Sequence, residues 1–189
     1  MASFTALYDA CVLYPAPLRD LLMHLATSGL FRAKWTEEIQ TEWIRNLLLN
    51  RPDLSEEQLH RTRDLMNEAV PDCLVTGYGN LVGAVTLPDP GDRHVLAAAI
   101  RGRADVIVTM NLRDFPKSEL EPYGIDAQHP DQFIVHLLDL QPERVYEAAK
   151  QQRANLRNPP KSPTELLEAY ERQGLAQTVS RLRDALGLF

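Results

Sequence analysis

The chain has 189 residues, is 44% hydrophobic and carries a formal net charge of −6. That size supports one good core with a small appended element. The acidic balance excludes a protein that grips nucleic acid over a broad basic surface, so any contact with nucleic acid must be local or run through bound cations.

Phe4 to Tyr8 is a short apolar run ending at Asp9, and reads as a first buried strand. Cys11 to Pro17 reads as a turn with two prolines. Leu18, Leu21, Leu22, Leu25 and Ala26 recur at helical spacing up to Gly29. Phe31 to Trp35 predicts a second strand. Thr36 caps a helix whose apolar face is Ile39, Trp43, Leu47 and Leu48, with Glu38 and Glu42 sharing one side of it. Ser55 to Gln58 matches a capping box, opening a helix to about Ala69. Cys73 to Thr76 predicts a third strand.

The stretch from Leu87 to Pro116 organises the rest. Asp89 is a good N-cap and Pro90 suits the first helical position. Val95, Leu96, Ala99 and Ile100 form one apolar face, and Asp92 points along that buried stripe, where a solvated carboxylate would not normally sit. Gly102 stops the helix. Asp105 to Thr109 reads as a buried strand, with Asn111 and Asp114 in the loop after it. A final short strand at Gly124–Ile125 and a helix from Pro130 complete an α/β domain over 1–140. From 141 to 189 the pattern is helical: Val145 to Leu156, a proline linker, then Ser162 in a second capping box with Pro163 and Glu165. The leucines of this extension leave three destinations open: packing on the domain, a homodimer interface, or a groove for a partner's helix.

Two buried strands, each finishing beside a carboxylate, suggest an open parallel sheet, in which ligands bind beyond the carboxyl ends of the strands. Asp9, Glu42, Asp92 and Asp114 lie at strand ends or along inward helix faces. Each taken alone has an ordinary explanation as a turn, a cap or a solvated side chain. Together, like charges in one cleft need neutralising, and a hard divalent cation with oxygen ligands does this. Such an ion can activate water and clamp a phosphodiester. The five histidines show no zinc spacing and read as surface or core residues. No nucleophile elbow, P-loop or dinucleotide fingerprint is present. Cys11 stands where a phosphoaspartate enzyme would want its second acid, which disfavours Asp9 as a nucleophile. Cys11 and Cys73 follow no disulfide pattern, which suits a reducing cytosol. Residues 1–30 are interrupted by Arg19, Asp20 and His24, so neither a signal peptide nor a membrane span is expected.

The segments Tyr8–Leu13, Glu37–Trp43, Asp89–Ala99 and Val108–Pro116 resemble the PIN-domain nucleases, above all the VapC-type toxins of bacterial toxin–antitoxin pairs. The helical tail resembles, more weakly, the extra C-terminal region of one branch of these toxins. The resemblance implies a doubly wound, mainly parallel sheet with helices on both sides. It further implies Mg²⁺- or Mn²⁺-dependent cleavage of RNA, a cognate antitoxin as partner, and a cytoplasmic setting. Carried over by position, Asp9 is the first metal ligand, Glu42 the second acid and Asp92 the third. Two departures stand out. Ala10 and Cys11 replace the family's hydroxyl and amide residues. Asn111 stands where the fourth acid usually is, leaving Asp114 as the nearest carboxylate for the metal and Asn111 for a substrate or water-mediated role. Arg93 and Arg113 are candidates to hold flanking phosphates. The alternative is a PIN-like module with weakened catalysis that binds RNA or protein through its surface.

Overall fold

A computed structural model of the chain describes residues 4–188. In order, the elements are β1 (Thr5–Tyr8), α1 (Ala10–Leu13), α2 (Ala16–Ala26), β2 (Arg32–Lys34), α3 (Glu37–Asn50), α4 (Glu56–Ala69) and α5 (Gly79–Val82). They continue with α6 (Arg93–Arg101), β3 (Val106–Val108), α7 (Lys117–Leu120), β4 (Asp126–Gln128), α8 (Pro130–Leu140), α9 (Pro142–Asn155), α10 (Pro163–Arg172) and α11 (Ala176–Arg183). Two compact units result: residues 4–14 with 31–129, and residues 15–30 with 130–188.

The first unit is built on a parallel sheet in the order β2-β1-β3-β4, flanked by helices. From β1 the chain goes to β2 on one side and later returns to β3 on the other. The switch point of this doubly wound sheet therefore lies between the ends of β1 and β3, where such folds open a crevice. Every residue of these two strands is buried, as a sheet covered on both faces requires. Tyr8 stacks on Trp35, with ring centroids 6.1 Å apart.

α3 is fixed by Thr36, whose side chain accepts from the Ile39 N–H. A buried amide relay then ties it to α4. Trp43 Nε1 donates to Gln40 Oε1 at 2.6 Å, while Gln40 Nε2 and Trp35 Nε1 both donate to Asn67 Oδ1. Satisfying these buried donors sets the rotation of α3, and with it the direction of Glu42.

The expected third strand is reduced to a single parallel bridge between Trp35 and Leu74. Asp72 and Gly77 both have positive φ, so the extended backbone is broken on each side before a ladder can grow. The expected turn after Asp9 is one helical turn, α1, capped by Asp9 itself. The expected helix start at Asp89 is a 3₁₀ turn, Pro90–Asp92, that leads into α6.

The second unit is helical. α9 packs on α2 and α8, and α11 packs on α8 and α10. Its apolar faces, including Leu18, Leu22, Phe133, Leu137, Leu166, Val179 and Leu182, are buried within it. Asp131, in the first turn of α8, reaches the start of α11. Its carboxylate accepts from the N–H groups of Gln177 and Thr178 at 3.0 and 2.8 Å and from the Thr178 hydroxyl at 2.7 Å. The Ser162–Glu165 capping box is complete. The division expected after residue 140 does not coincide with these units: α8 and α2 both belong with the tail, because their leucine faces are covered by α9, α10 and α11. Among the described residues no helix is long and apolar enough to cross a membrane.

Candidate active site

Asp9 sits where β1 ends. Its N–H donates to the Val108 carbonyl of β3. Its Oδ1 accepts from the Ala10 N–H at 2.8 Å, and its Oδ2 accepts from the Thr109 hydroxyl at 2.8 Å and faces Cys11 Sγ at 3.4 Å. Cys11 Sγ also lies 3.4 Å from Thr109 Oγ1 and accepts from the Met110 N–H. The Thr109 oxygen in turn accepts from the Asn111 N–H at 3.1 Å. The ends of the two central strands are thus knotted around one carboxylate. The side chains of Cys11 and Thr109 take up positions beside Asp9.

Asp9 is almost fully buried. Burial raises its pKa; hydrogen bonds from Thr109, Ala10 and Cys11 oppose the rise, and the charge of Glu42 adds to it, leaving it raised. The Cys11 thiol is pushed up to about 12, first by burial and then by the adjacent Asp9.

Asp92 closes the 3₁₀ turn before α6 and makes no capping bond of its own. It is half-buried, and its pKa is raised to about 7, first by burial and then by the charges of Asp9, Asp89, Asp114 and Glu42. This single group therefore feels all of the acids that the sequence nominated. Asp114 ends the 3₁₀ turn Leu112–Asp114, held by its N–H to the Asn111 carbonyl. Asp89 caps that earlier turn, as expected, by accepting from Gly91, and it also adds its charge to the cluster.

Glu42 lies beside His94, whose Nε2 is 3.5 Å from Glu42 Oε2 and whose Nδ1 is 3.6 Å from Glu38 Oε2. Burial lowers the His94 pKa, but the contact with Glu42 and the charges of Glu38, Glu42 and Asp9 outweigh it and raise the value overall. His94 carries no spacing signal in the sequence, since its partners lie on another helix. Glu38, which shares one side of α3 with Glu42, accepts from the Tyr78 hydroxyl at 3.0 Å. A cleft of about 450 Å³ is lined by Glu38, Glu42, Arg45, Asp89, Asp92 and His94.

Among the described residues, none of Asp9, Glu42, Asp92 and Asp114 is ion-paired with lysine or arginine. Arg93 is half-buried with its Nε lacking a hydrogen-bond partner, and Arg113 is exposed. Asn111 lines a second cavity together with Glu42. Among the described residues no three histidine, cysteine or acidic side chains converge closely enough to form a ready cage for a metal ion.

A doubly wound parallel sheet with clustered carboxylates beyond the ends of its central strands defines a class of acidic-site α/β proteins. Residues 5–113 match the model of the PIN domain, and the chain belongs to that family. Residues 130–184 match the model of the VapC50 C-terminal domain. The chain is 44% identical over 97 residues to a protein of Mycobacterium tuberculosis named "Putative ribonuclease VapC50". That match covers 51% of this chain and 57% of the relative, so it spans little more than half of each. No solved structure matches the chain.

Proposed function

We propose that this chain is an endoribonuclease of the VapC type, cutting RNA phosphodiester bonds at the acidic site and held in check by a cognate antitoxin. The observation that carries this reading is Asp92: its carboxyl is raised to about 7 by burial and by four other acids, with no lysine or arginine paired to them. A protein keeps such unfavourable charge together where something positive is bound in use.

Fit to a divalent ion rests on the donor set. The available groups are oxygen donors, and among the described residues Asp9, Asp92 and Asp114 have no lysine or arginine ion-paired to them. A closed cage is absent, but Mg²⁺ keeps several waters and needs only one or two protein carboxylates. Asp9, Asp92 and Asp114 are the residues that would hold Mg²⁺ or Mn²⁺, which when bound supplies a Lewis acid for the phosphate and lowers the pKa of a coordinated water. The rest of the work falls to the chain. Thr109, Cys11 and the Ala10 N–H hold the Asp9 carboxylate in one orientation. Glu42, kept in place by His94, accepts a proton from the attacking water. Arg93 and Arg113 hold phosphates that flank the cut bond, and Asn111 contacts substrate.

Incubation of the full chain with a mixed single-stranded RNA pool tests this. Cleavage with Mg²⁺ or Mn²⁺, its loss in EDTA, and losses of at least a hundredfold in Asp9→Asn and Glu42→Gln are expected. Undiminished cutting by both variants would refute the site assignment. The absence of a three-donor cage, with Asn111 in place of an acid, favours one second reading: a PIN-fold binding module with weakened catalysis. No cleavage under any divalent ion, with RNA binding retained, would select it.

A further inference from the structure

Glu42 lines two cavities of opposite character. One is the charged cleft already described. The other, of about 400 Å³, is lined by Tyr14, Glu42, Asn46, Leu49, Asn50 and Asn111, over a floor that includes Trp43. Apart from Glu42 no residue lining it carries a formal charge. Its volume is that of a small-molecule site, about 300–1,000 Å³.

The placement follows from α3. Residues 42, 46, 49 and 50 are three or four apart and so share one helix face. Along that face an acid gives way to an amide, then a leucine and a second amide. Asn46 stands about 6 Å along the axis from Glu42 and Asn50 about 12 Å. Tyr14, which follows α1, closes the far wall, and its hydroxyl accepts from Asn50 Nδ2 at 2.9 Å. Leu49 is 75% exposed, an unusual state for so large an apolar side chain in a cavity wall.

A cavity without cations does not suit a phosphate. A planar, neutral ring with donors and acceptors on its edge does suit it. Carboxamides present a donor and an acceptor side by side and so pair with a base edge. An apolar or aromatic wall accepts the base face, and unstacked bases of single-stranded RNA are recognised in this manner.

We propose that this cation-free cavity receives one unstacked nucleobase of a single-stranded RNA and reads its edge with Asn46, Asn50 and Asn111. The proposal rests on the ribonuclease reading, since it places that base within a nucleotide or two of the bond cut at Asp9 and Asp92. The cavity then sets sequence preference, while the charged cleft takes the backbone.

The test uses the full chain. A randomised single-stranded RNA is cut with Mn²⁺, and base frequencies around the cut are mapped for wild type, Asn46→Ala, Asn50→Ala and Tyr14→Phe. Binding of labelled six-nucleotide homo-oligomers of A, C, G and U is measured in parallel by anisotropy. Wild type shows a strong preference at one position beside the cut. Each asparagine variant weakens it about tenfold, measured as the ratio of kcat/KM for favoured over disfavoured RNA. Tyr14→Phe, which keeps the ring, retains most of it. Unchanged preference in both asparagine variants, each melting as wild type does, overturns the proposal. So does a wild type that discriminates among bases in neither assay, which leaves the cavity to a protein partner. A wild type that cuts nothing yet discriminates among the homo-oligomers, with discrimination lost in Asn50→Ala, refutes the nuclease reading alone and upholds the base site.

Discussion

Replacing Asp92 by asparagine stabilises the metal-free protein at pH 8. The size of the gain follows from the position of its titration. A carboxyl moved from 3.8 to about 7 corresponds to about 4 kcal/mol at 1.36 kcal/mol per tenfold. The group is only half-buried, and solvent screening reduces this to roughly 2 kcal/mol. The folded state binds the proton more tightly than the unfolded chain, so stability falls as pH rises from about 4 to 7. The penalty is complete above the folded value and nearly absent below the unfolded one. Asparagine keeps the shape and never ionises. In EDTA at pH 8 the variant melts roughly 4–8 °C above wild type, at about 2–4 °C per kcal/mol for a chain of this size. At pH 5, between the unfolded and folded values, only part of that penalty has developed and the gap is smaller by the same linkage. Millimolar Mn²⁺ raises the wild-type melting point more than that of the variant, because binding stabilises only the state that binds. Differential scanning calorimetry at the two pH values reads all three outcomes. A variant that melts at or below wild type at pH 8, or a gap of equal size at pH 5, refutes the crowding of negative charge on which the site is built.

Other consequences are equally direct. Asp131→Ala strips three acceptor contacts from the start of α11 and should cost about 2–4 kcal/mol in urea unfolding; a loss under 1 kcal/mol would show that the clamp is idle. His94→Gln frees Glu42 and should lower kcat for RNA cleavage about tenfold with little change in KM, and an unaltered kcat would detach His94 from the site. Native Cys11, held as a thiol near 12, should alkylate with iodoacetamide at pH 8 at least a hundredfold more slowly than in the unfolded chain, because only the thiolate reacts; peptide mass spectrometry reports the rate. Gly102→Ala drives a methyl to 2.9 Å from Val75 Cγ2 and 3.1 Å from the Ala98 carbonyl, a crowding that should cost about 1–3 kcal/mol in thermal unfolding.

The sheet and its acids were legible because their signals are local. β1 and β3 are continuous apolar runs that end at Asp9 and Thr109, and a parallel sheet buried on both faces writes itself in that form. Asp92 betrayed itself as a carboxylate beside a buried stripe. The rest depended on distant partners. Cys73 to Thr76 has strand composition, yet the left-handed backbone at Asp72 and Gly77 limits it to one bridge. α1 is a single turn, too short for periodicity to register. His94 meets Glu42 only because α3 and α6 converge. The leucines of α2 announce a helix but not the helices that cover it, since those lie more than a hundred residues further on. The second cavity was out of reach for the same reason: Tyr14 and Asn50 become neighbours only in the fold.

That last separation has a consequence for how the molecule is made. The leucine stripe of α2 leaves the ribosome inside the crossover from β1 to β2, whereas its cover, α9 and α10, is translated more than a hundred residues later. Until α9 and α10 have emerged, the nascent chain displays an oily flank that chaperones and proteases recognise. A chain cut short before α9 therefore yields a product marked for disposal, whatever the state of its sheet, and only synthesis that reaches α10 escapes that surveillance.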